Sequence, residues 1–333
     1  MSTTTAVTTQ RLALSVVICA YTLDRWPQLQ DAVTSVRDQL RPVDEIIVVI
    51  DHNDDLLRRA AQLAAPGLAP QVRVVASAGQ RGLSGARNTG VAMAGSPIVA
   101  FLDDDARADA TWSDRLLGPY ADPRVVACGG AAEPVLHGPR PGWWPREFDW
   151  VVGCSYIGLP HDRAQVRNLI GANMSARRSA MVSVGGFGEG IGRVGARPLG
   201  CEETDLFIRM TQRWPEARIV YEPEARVHHA VPAARLSWSY FRSRCFAEGL
   251  SKAQVAARVG RVDALASERR YVLRVLPLGV GRGVADAWRG DGKALRRSLA
   301  ITAGLALTTA GYAAGRIQDA IRSPFSTRKA VGA

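Results

Sequence analysis

Three consecutive aspartates, Asp103-Asp104-Asp105, close the uncharged run Ile98–Leu102. Two carboxylates at i and i+2 beyond a buried strand can turn toward one ligand, and a hard divalent cation takes oxygen ligands. Such a cation bridges to phosphates and offsets the charge that builds on a departing diphosphate. A charged triplet against a core strand is costly unless something compensates it. A second acidic cluster, Glu202-Glu203-Thr204-Asp205, offers carboxylates that can take a proton from a hydroxyl. The same cluster suits the first turn of a helix, where the macrodipole favours negative charge. Asp205 also stands i,i+4 from Arg209, the spacing of an intrahelical pair. His228-His229 offers neutral imidazole as a metal ligand. Arg81 and Arg87 carry forks of donors that suit phosphate or a base, and Arg87 is equally placed to pair with a carboxylate.

These groups need a scaffold that brings them together. From Leu14 the chain alternates strand and helix: strand Leu14–Cys19, helix Trp26–Leu40, strand Glu45–Ile50, helix Asp55–Ala65, strand Val72–Ala76, helix Ser84–Ala94 and strand Ile98–Leu102. Val125–Cys128 and Arg218–Tyr221 read as further strands, the latter followed by a Pro-containing turn and the two histidines. Strands separated by helices imply a doubly wound, mostly parallel sheet. Ligands of such sheets bind at the carboxyl ends of the strands. Polar clusters follow each of the first four strands: Ala20-Tyr21-Thr22, Asp51-His52-Asn53, the loop Ser77–Ser84 and the aspartate triplet. Four clusters on one edge point to a site more strongly than any one of them.

A nicotinamide-binding fold needs a glycine-rich turn after the first strand. The turn Ala20–Trp26 has no glycine, and the GxGxxG spacing at Gly190, Gly192 and Gly195 lies far downstream with no clear strand before it. No Walker A sequence is present either. Taken in order, SVVICAYTLDR, EIIVVIDHND, RGLSGARNTGVAMA, FLDDD, GANMSARR, VGGF and CEETDLFIRM resemble glycosyltransferase family 2, the inverting nucleotide-sugar transferases of the GT-A fold; PEARVHH resembles that family's histidine segment.

The resemblance implies an α/β GT-A fold, here with a basic helical C-terminal extension. It implies that Ala20 and Tyr21 cradle the nucleobase and that Asp51 accepts a hydrogen bond from a base N–H, as uracil would supply. Ile50 replaces the first acidic residue of the family's VDD pattern. Arg81 would contact the nucleotide, Asp103 the ribose, base or metal, and Asp104 would complete that turn. Asn173 would line the sugar pocket. Asp105 becomes the leading ligand of Mn2+ or Mg2+, with Asp103 and His229. Glu203 stands where the family carries a catalytic aspartate and becomes the general base, one methylene longer in reach, with Glu202 and Asp205 as alternates. Gly82 and Gly85 would permit a tight loop, and Asn88 would orient it. The implied activity is metal-dependent inverting transfer from a nucleotide-diphosphate sugar, a UDP-sugar by the Asp51 argument, to a glycan, lipid-linked or small-molecule acceptor in cell-envelope, polysaccharide or glycolipid synthesis. The alternative is a catalytically inactive membrane scaffold or binding module.

Composition frames the rest. A 47% hydrophobic and 22% charged chain excludes wholesale disorder, collagen and coiled coil. The net charge of +11 suggests an anionic partner. It is unevenly spread: residues 226–333 hold 19 Lys and Arg against 6 Asp and Glu, a net +13, whereas residues 1–225 are at −2. Basicity therefore marks the tail and its contact with an anionic membrane, rather than nucleic acid or the phosphate chemistry of the sheet. Five scattered cysteines lack zinc or redox spacing and read as cytoplasmic thiols. Leu12–Ala20 mimics a signal-peptide core but opens the strand–helix alternation instead. These readings place the protein in the cytoplasm, peripheral on the inner face of the cell membrane. Trp143, Trp144 and Trp150 read as core or lid, or as an acceptor platform. In the tail, Ser237–Ala257 and Ser267–Gly292 read as helices. Ser298–Gly315 is an uncharged run of 18 residues, marginal for a membrane span, and reads as a buried or interfacial helix. The expected division is a flexible N-terminus at 1–11, a catalytic domain at 12–235 (donor half about 12–130, acceptor half about 131–235) and a basic helical region at 236–333.

Overall fold

The computed structural model describes residues 11–64, 67, 69–192 and 199–326. The expected flexible N-terminus, except Arg11, and Gly195 lie outside the described residues. The first half contains β1 (Leu14–Ala20), α1 (Trp26–Arg37), β2 (Glu45–Ile50), α2 (Asp54–Ala60), β3 (Gln71–Ala76), α3 (Leu83–Met93), β4 (Ile98–Asp103), β5 (Ala106–Ala108), α4 (Trp112–Leu117) and β6 (Val125–His137). Then come β7 (Ala164–Gln165), β8 (Asn173–Arg177), α5 (Arg178–Ser183), α6 (Glu202–Arg213) and β9 (Arg218–Pro232). The tail is helical: α7 (Trp238–Val259), the short α8 (Arg261–Ala264) and α9 (Ala266–Arg270), then α10 (Leu276–Trp288) and α11 (Ala294–Ser326).

The strands form one sheet in the order β3-β2-β1-β4-β8-β6-β9-β5, with β7 also on β9. β1 to β4 are parallel, as are β6 and β9; β8 runs antiparallel between β4 and β6. Successive side chains of a strand point to opposite faces, and the sheet carries a core on each. Val16 and Ile18 join Leu29 of α1, Leu56 of α2 and Trp112 of α4. Val17 joins Ala86 of α3, Met181 of α5 and Phe207 of α6. This double cover explains why β2 reads EIIVVI, apolar and almost wholly β-branched, with Ile46 to Ile50 all buried.

Several elements differ from their sequence pattern. α1 ends at Arg37, so Leu40 lies beyond it and is 74% exposed; Pro42 follows closely and disfavours helical backbone. α2 stops at Ala60 and tightens into a 3-10 turn over Ala61–Leu63. β6 is 13 residues long and β9 is 15. Pro223 does not end β9: it falls where the register on β6 shifts, between the pairs Gly130–Glu222 and Ala132–Val227. His228 and His229 therefore lie within the same strand, β9, and not beyond a turn that follows it.

A third core joins residues 144–154 to the tail, with Trp144 and Phe148 against Phe241 of α7, Leu276 of α10 and Ile301 of α11. α7 and α11 cross closely. A Cβ on Gly249 would lie 2.0 Å from the Thr308 carbonyl oxygen, and one on Gly311 would lie 2.0 Å from that of Phe246. The run Ser298–Gly315 is thus a stretch of α11 with a packed inner face and an exposed outer one. Among the described residues, no helix is long and apolar enough to cross a membrane.

Candidate active site

The loops after β1, β2, β3 and β4 meet around a cavity of about 420 Å³ that takes in Ala20, Tyr21, Asp51, Arg81, Asp103 and Asp104. Asn53, not Asp51, caps α2: its side-chain oxygen accepts from Leu56 N–H at 3.0 Å, and its amide donates to the Tyr21 carbonyl at 3.0 Å. Asp51 is left to face the cavity. Its Oδ2 accepts from Gly82 N–H at 3.0 Å, and its Oδ1 lies 2.7 Å from His52 Nδ1. Arg81 donates to the His52 carbonyl at 3.2 Å. The loop before α3 can lie against the helix because Gly85 has no side chain; a Cβ there would lie 2.0 Å from the Gln80 carbonyl oxygen. Tyr21 is 41% exposed, with the Arg25 guanidinium 5.6 Å from its ring centroid.

His229 reaches the aspartates because β5 follows them at once and pairs with β9, setting Ala106 opposite His229. Ala230 N–H donates to the Asp105 carbonyl at 2.8 Å. His229 Nε2 is 3.1 Å from Asp105 Oδ1 and 4.0 Å from Asp103 Oδ2. Ligating atoms of Asp103, Asp105 and His229 all lie within 4.8 Å of one another. Two carboxylate oxygens and an imidazole nitrogen this close together form a donor set that could hold a metal ion.

Cations from other elements hold these carboxylates. Arg25 Nη1 lies 2.7 Å from Asp104 Oδ1 and 3.1 Å from Asp105 Oδ2, and Arg235 Nη1 lies 3.7 Å from Asp105 Oδ2. Burial disfavours ionisation of Asp105, but His229, Arg25 and Arg235 together hold its carboxyl well below the usual range. Asp104 shares Arg25 and has no histidine, so burial and the Asp105 charge push it up. Burial opposes the charge on His229 too, yet Asp105 keeps its proton well above the ordinary histidine range.

α6 starts at Glu202, directly after Cys201 in the left-handed region (φ +69°). Its three first-turn acids have different fates. Glu202 is 4% exposed and bound by Arg87 Nη1 at 2.7 Å. Arg87 Nη2 also donates to the Gly171 carbonyl at 3.0 Å and lies 3.5 Å from Asp103 Oδ1. Asp205 is fully buried and held by Arg209 Nε at 2.8 Å and Arg258 Nε at 3.4 Å. Glu203 is partly exposed on the cavity wall, and burial, followed by the charge of Glu202, pushes its carboxyl up to about 8.

Glu203 faces a second cavity of about 440 Å³, which shares Arg25, Leu83 and Asp103 with the first. Trp150, Tyr156 and His229 line it, and the tail closes it with Tyr240, Lys252, Tyr271 and Tyr312. Trp150 Nε1 donates to the Tyr271 hydroxyl at 3.1 Å. Lys252 Nζ lies 2.5 Å from Glu268 Oε1 and 3.2 Å from Glu248 Oε1, while Arg167 grips both oxygens of Glu268 at 2.6 and 2.9 Å. Burial opposes the charge on Glu268, but Lys252 and Arg167 lower its carboxyl to about 2.

The fold thus gathers Ala20, Tyr21, Asp51, Arg81, Asp103, Asp104, Asp105, His229 and Glu203 around two joined cavities. Two expected residues, Asn173 and Asp205, are placed away from the cavities. Asn173 is fully buried and lines neither cavity: its oxygen accepts from Trp112 Nε1, and its amide donates to the carbonyls of Ala131 and Ala225. Asp205 lines neither cavity and is bound by Arg209 and Arg258, whereas Glu202 lines the second cavity beside Glu203, with Oε1 on Arg87 and Oε2 without a hydrogen-bond partner. Arg87 takes the carboxylate-pairing role, and Asn88 fastens the Gly185-Gly186-Phe187 turn through both Phe187 N–H and carbonyl. Trp144 is core, whereas Trp150 lines the cleft. Sequence reasoning gave no role to Arg25, although it ends the first recognised motif, or to Arg235, six residues beyond His229. It also missed Arg167, Lys252 and the tail tyrosines, whose positions depend on helix packing.

The model of the family "Glycosyl transferase family 2" matches residues 15–185. Glucosyl-dolichyl phosphate glucuronosyltransferase of Haloferax volcanii is 31% identical over 242 residues, 72% of this chain and 76% of that protein. Succinoglycan biosynthesis protein ExoM of Rhizobium meliloti is 26% identical over 255 residues, covering 74% and 76% of the two chains. The structure of a Pyrobaculum calidifontis mannosyltransferase with GDP-Man and Mn2+ superposes with a TM-score of 0.59 at 16% identity, over 93% of this chain and 88% of that one. GalNAc-T7 with UDP, GalNAc and Mn2+ superposes with a TM-score of 0.52 at 16% identity, over 78% of this chain and 54% of that one. The chain belongs to glycosyl transferase family 2 and is a glycosyltransferase of the GT-A fold.

Proposed function

We propose that the protein catalyses metal-dependent inverting transfer of a sugar from a nucleoside-diphosphate donor, a UDP-sugar by the position of Asp51, to an acceptor hydroxyl. The single observation that carries this reading is the convergence of Asp103, Asp105 and His229 within 4.8 Å. It lies between a cavity holding the first-loop residues and a cavity holding Glu203.

In this reading Ala20, Tyr21, Asp51, Arg81 and Asp104 form the nucleotide side. Asp103, Asp105 and His229 hold Mn2+ or Mg2+, which when bound supplies positive charge against the leaving diphosphate. Arg25 and Arg235 already lie at Asp105 and would add positive charge on that side of the site. Glu203 faces the acceptor side and takes the proton of the attacking hydroxyl. Its raised carboxyl makes the carboxylate a stronger base than an exposed glutamate. Arg87 fixes Glu202 and so the start of α6, making it a positioning residue for Glu203. Residues 12–235 form the catalytic domain in this account. Residues 236–333 complete the acceptor side and rest on the inner face of the cell membrane.

The test uses Asp105→Ala and Glu203→Gln. Both should lose transfer, while Glu203→Gln should keep nucleoside-diphosphate binding in calorimetry with Mn2+. Full activity in both variants would reject the assignments, and a product that retains the donor's anomeric configuration would reject inversion.

A further inference from the structure

The two helices that close the acceptor cavity have a second, unpartnered side. Leu276 of α10 and Leu305, Thr308 and Tyr312 of α11 face the cavity. On the outside of the same pair, α10 exposes Leu278 (63%) and Trp288 (89%), while α11 exposes Leu295 (51%), Leu299 (63%) and Ile317 (61%). Between Leu299 and Ile317, every exposed residue is Thr or Ala. An exposed stripe on a surface helix normally carries charge. Here charge borders the stripe instead: Arg289 and Arg296 are exposed sequence neighbours of Trp288 and Leu295. Residues 269–322 hold ten Lys and Arg against three Asp. Two of those aspartates, Asp286 and Asp291, are already tied to Arg297, at 3.6 and 2.8 Å.

We propose that the outer face of α10 and α11 lies in the interface of an anionic lipid bilayer, holding the acceptor cavity at the membrane so that it receives an acceptor carried on a lipid. This rests on the reading of the Glu203 cavity as the acceptor side. An apolar stripe edged by arginine matches the apolar boundary and anionic headgroups of such a surface. No described helix is long and apolar enough to cross a membrane, so the pair lies on the bilayer and does not span it. Because each helix presents one face to the lipid and the other to the cavity, the cavity lies one helix layer, about 10 Å, from the lipid surface.

Vesicle sedimentation of the full chain tests the proposal. Wild type should bind phosphatidylcholine vesicles containing phosphatidylglycerol at least about tenfold more tightly than pure phosphatidylcholine vesicles. The variant W288E/L299E, whose side chains are exposed and make no core contact, should lose about tenfold or more of that binding. Its nucleoside-diphosphate and Mn2+ binding should be unchanged, and its transfer to a lipid-linked acceptor should fall more than transfer to a water-soluble one. Undiminished vesicle binding by the variant would overturn the proposal. So would a wild-type dimer that the same substitutions dissociate, since the face would then pair two copies. Failure of wild type to bind nucleoside diphosphate would instead strike the transferase reading and leave the vesicle result standing.

Discussion

The two sides of the cleft are both rich in ion pairs, yet they treat charge in opposite ways. On the sheet side, the carboxylates that face the cavity are held by cations from distant parts of the chain: Arg25 on Asp104 and Asp105, Arg235 on Asp105, Arg87 on Glu202 and Asp103. These contacts surround the cluster of Asp103, Asp105 and His229 that could hold a metal ion. On the tail side, Lys252, Glu248, Glu268, Arg167 and Arg244 pair with one another in one network. That network has no metal-ligand geometry and ties α7 and α9 to the segment around Arg167. The first arrangement is poised for ligand and the second holds a wall in place, so substitutions should separate them by readout.

The largest effect should come from Asp105→Ala. Losing the leading ligand should lower transfer by about 10³-fold or more, corresponding to several kcal/mol of charge stabilisation, with the fold unchanged by circular dichroism. Glu203→Gln should cost about 10²–10⁴-fold, the usual contribution of a positioned base. The wild-type enzyme should show the matching pH profile. In the proposed base role Glu203 must be a carboxylate, and its carboxyl is raised to about 8, so kcat/KM should climb with pH and level off above about 8. A profile that is already flat from pH 6 would remove Glu203 from the base role.

Arg87→Met should act on stability, because it strands Glu202 in the interior. A cost of about 3–5 kcal/mol is typical for breaking one side of a buried pair. The double variant R87M/E202M should recover most of it in urea unfolding. A mild single-variant effect would show that the pair is not the anchor of α6. The smallest effect should be Glu268→Gln, at about 2 kcal/mol for a charged, hydrogen-bonded carboxylate. The Glu268 carboxyl is lowered from 4.5 to about 2 in the folded state, so its contribution is present above about pH 4.5 and is lost as pH falls toward 2. The difference between wild type and variant should shrink over that window, with Mn2+ binding unchanged throughout. Loss of Mn2+ binding in Glu268→Gln would erase the distinction between the two sides.

The sheet side was the more legible in the sequence. Its residues follow strand ends, and the rule for ligand position in doubly wound sheets needs only the strand–helix alternation to apply. The tail side depends on which helix faces meet, so Lys252, Tyr271 and Tyr312 gave no signal in a linear reading. Long-range pairing hid other features. His229 is brought to Asp105 by the β5–β9 register, which spans more than a hundred residues. Asn173 shows the converse hazard. The GANMS motif was recognised and its segment is a strand, but a strand offers two faces, and the Asn173 amide points into the core toward Trp112. Among the acids of α6, sequence spacing identified the Asp205–Arg209 pair. The Glu202–Arg87 pair joins two helices and could not be read from spacing.

The central claim is that Asp103, Asp105 and His229 form one metal centre at the junction of the two cavities. Calorimetric titration of Mn2+ in the presence of UDP, on wild type, Asp105→Ala and His229→Ala, tests it most directly. The account predicts one Mn2+ per wild-type chain and at least about tenfold weaker binding in each variant, as expected when a ligand is removed. Unchanged Mn2+ affinity in His229→Ala, with Asp105→Ala impaired, would contradict the three-residue centre.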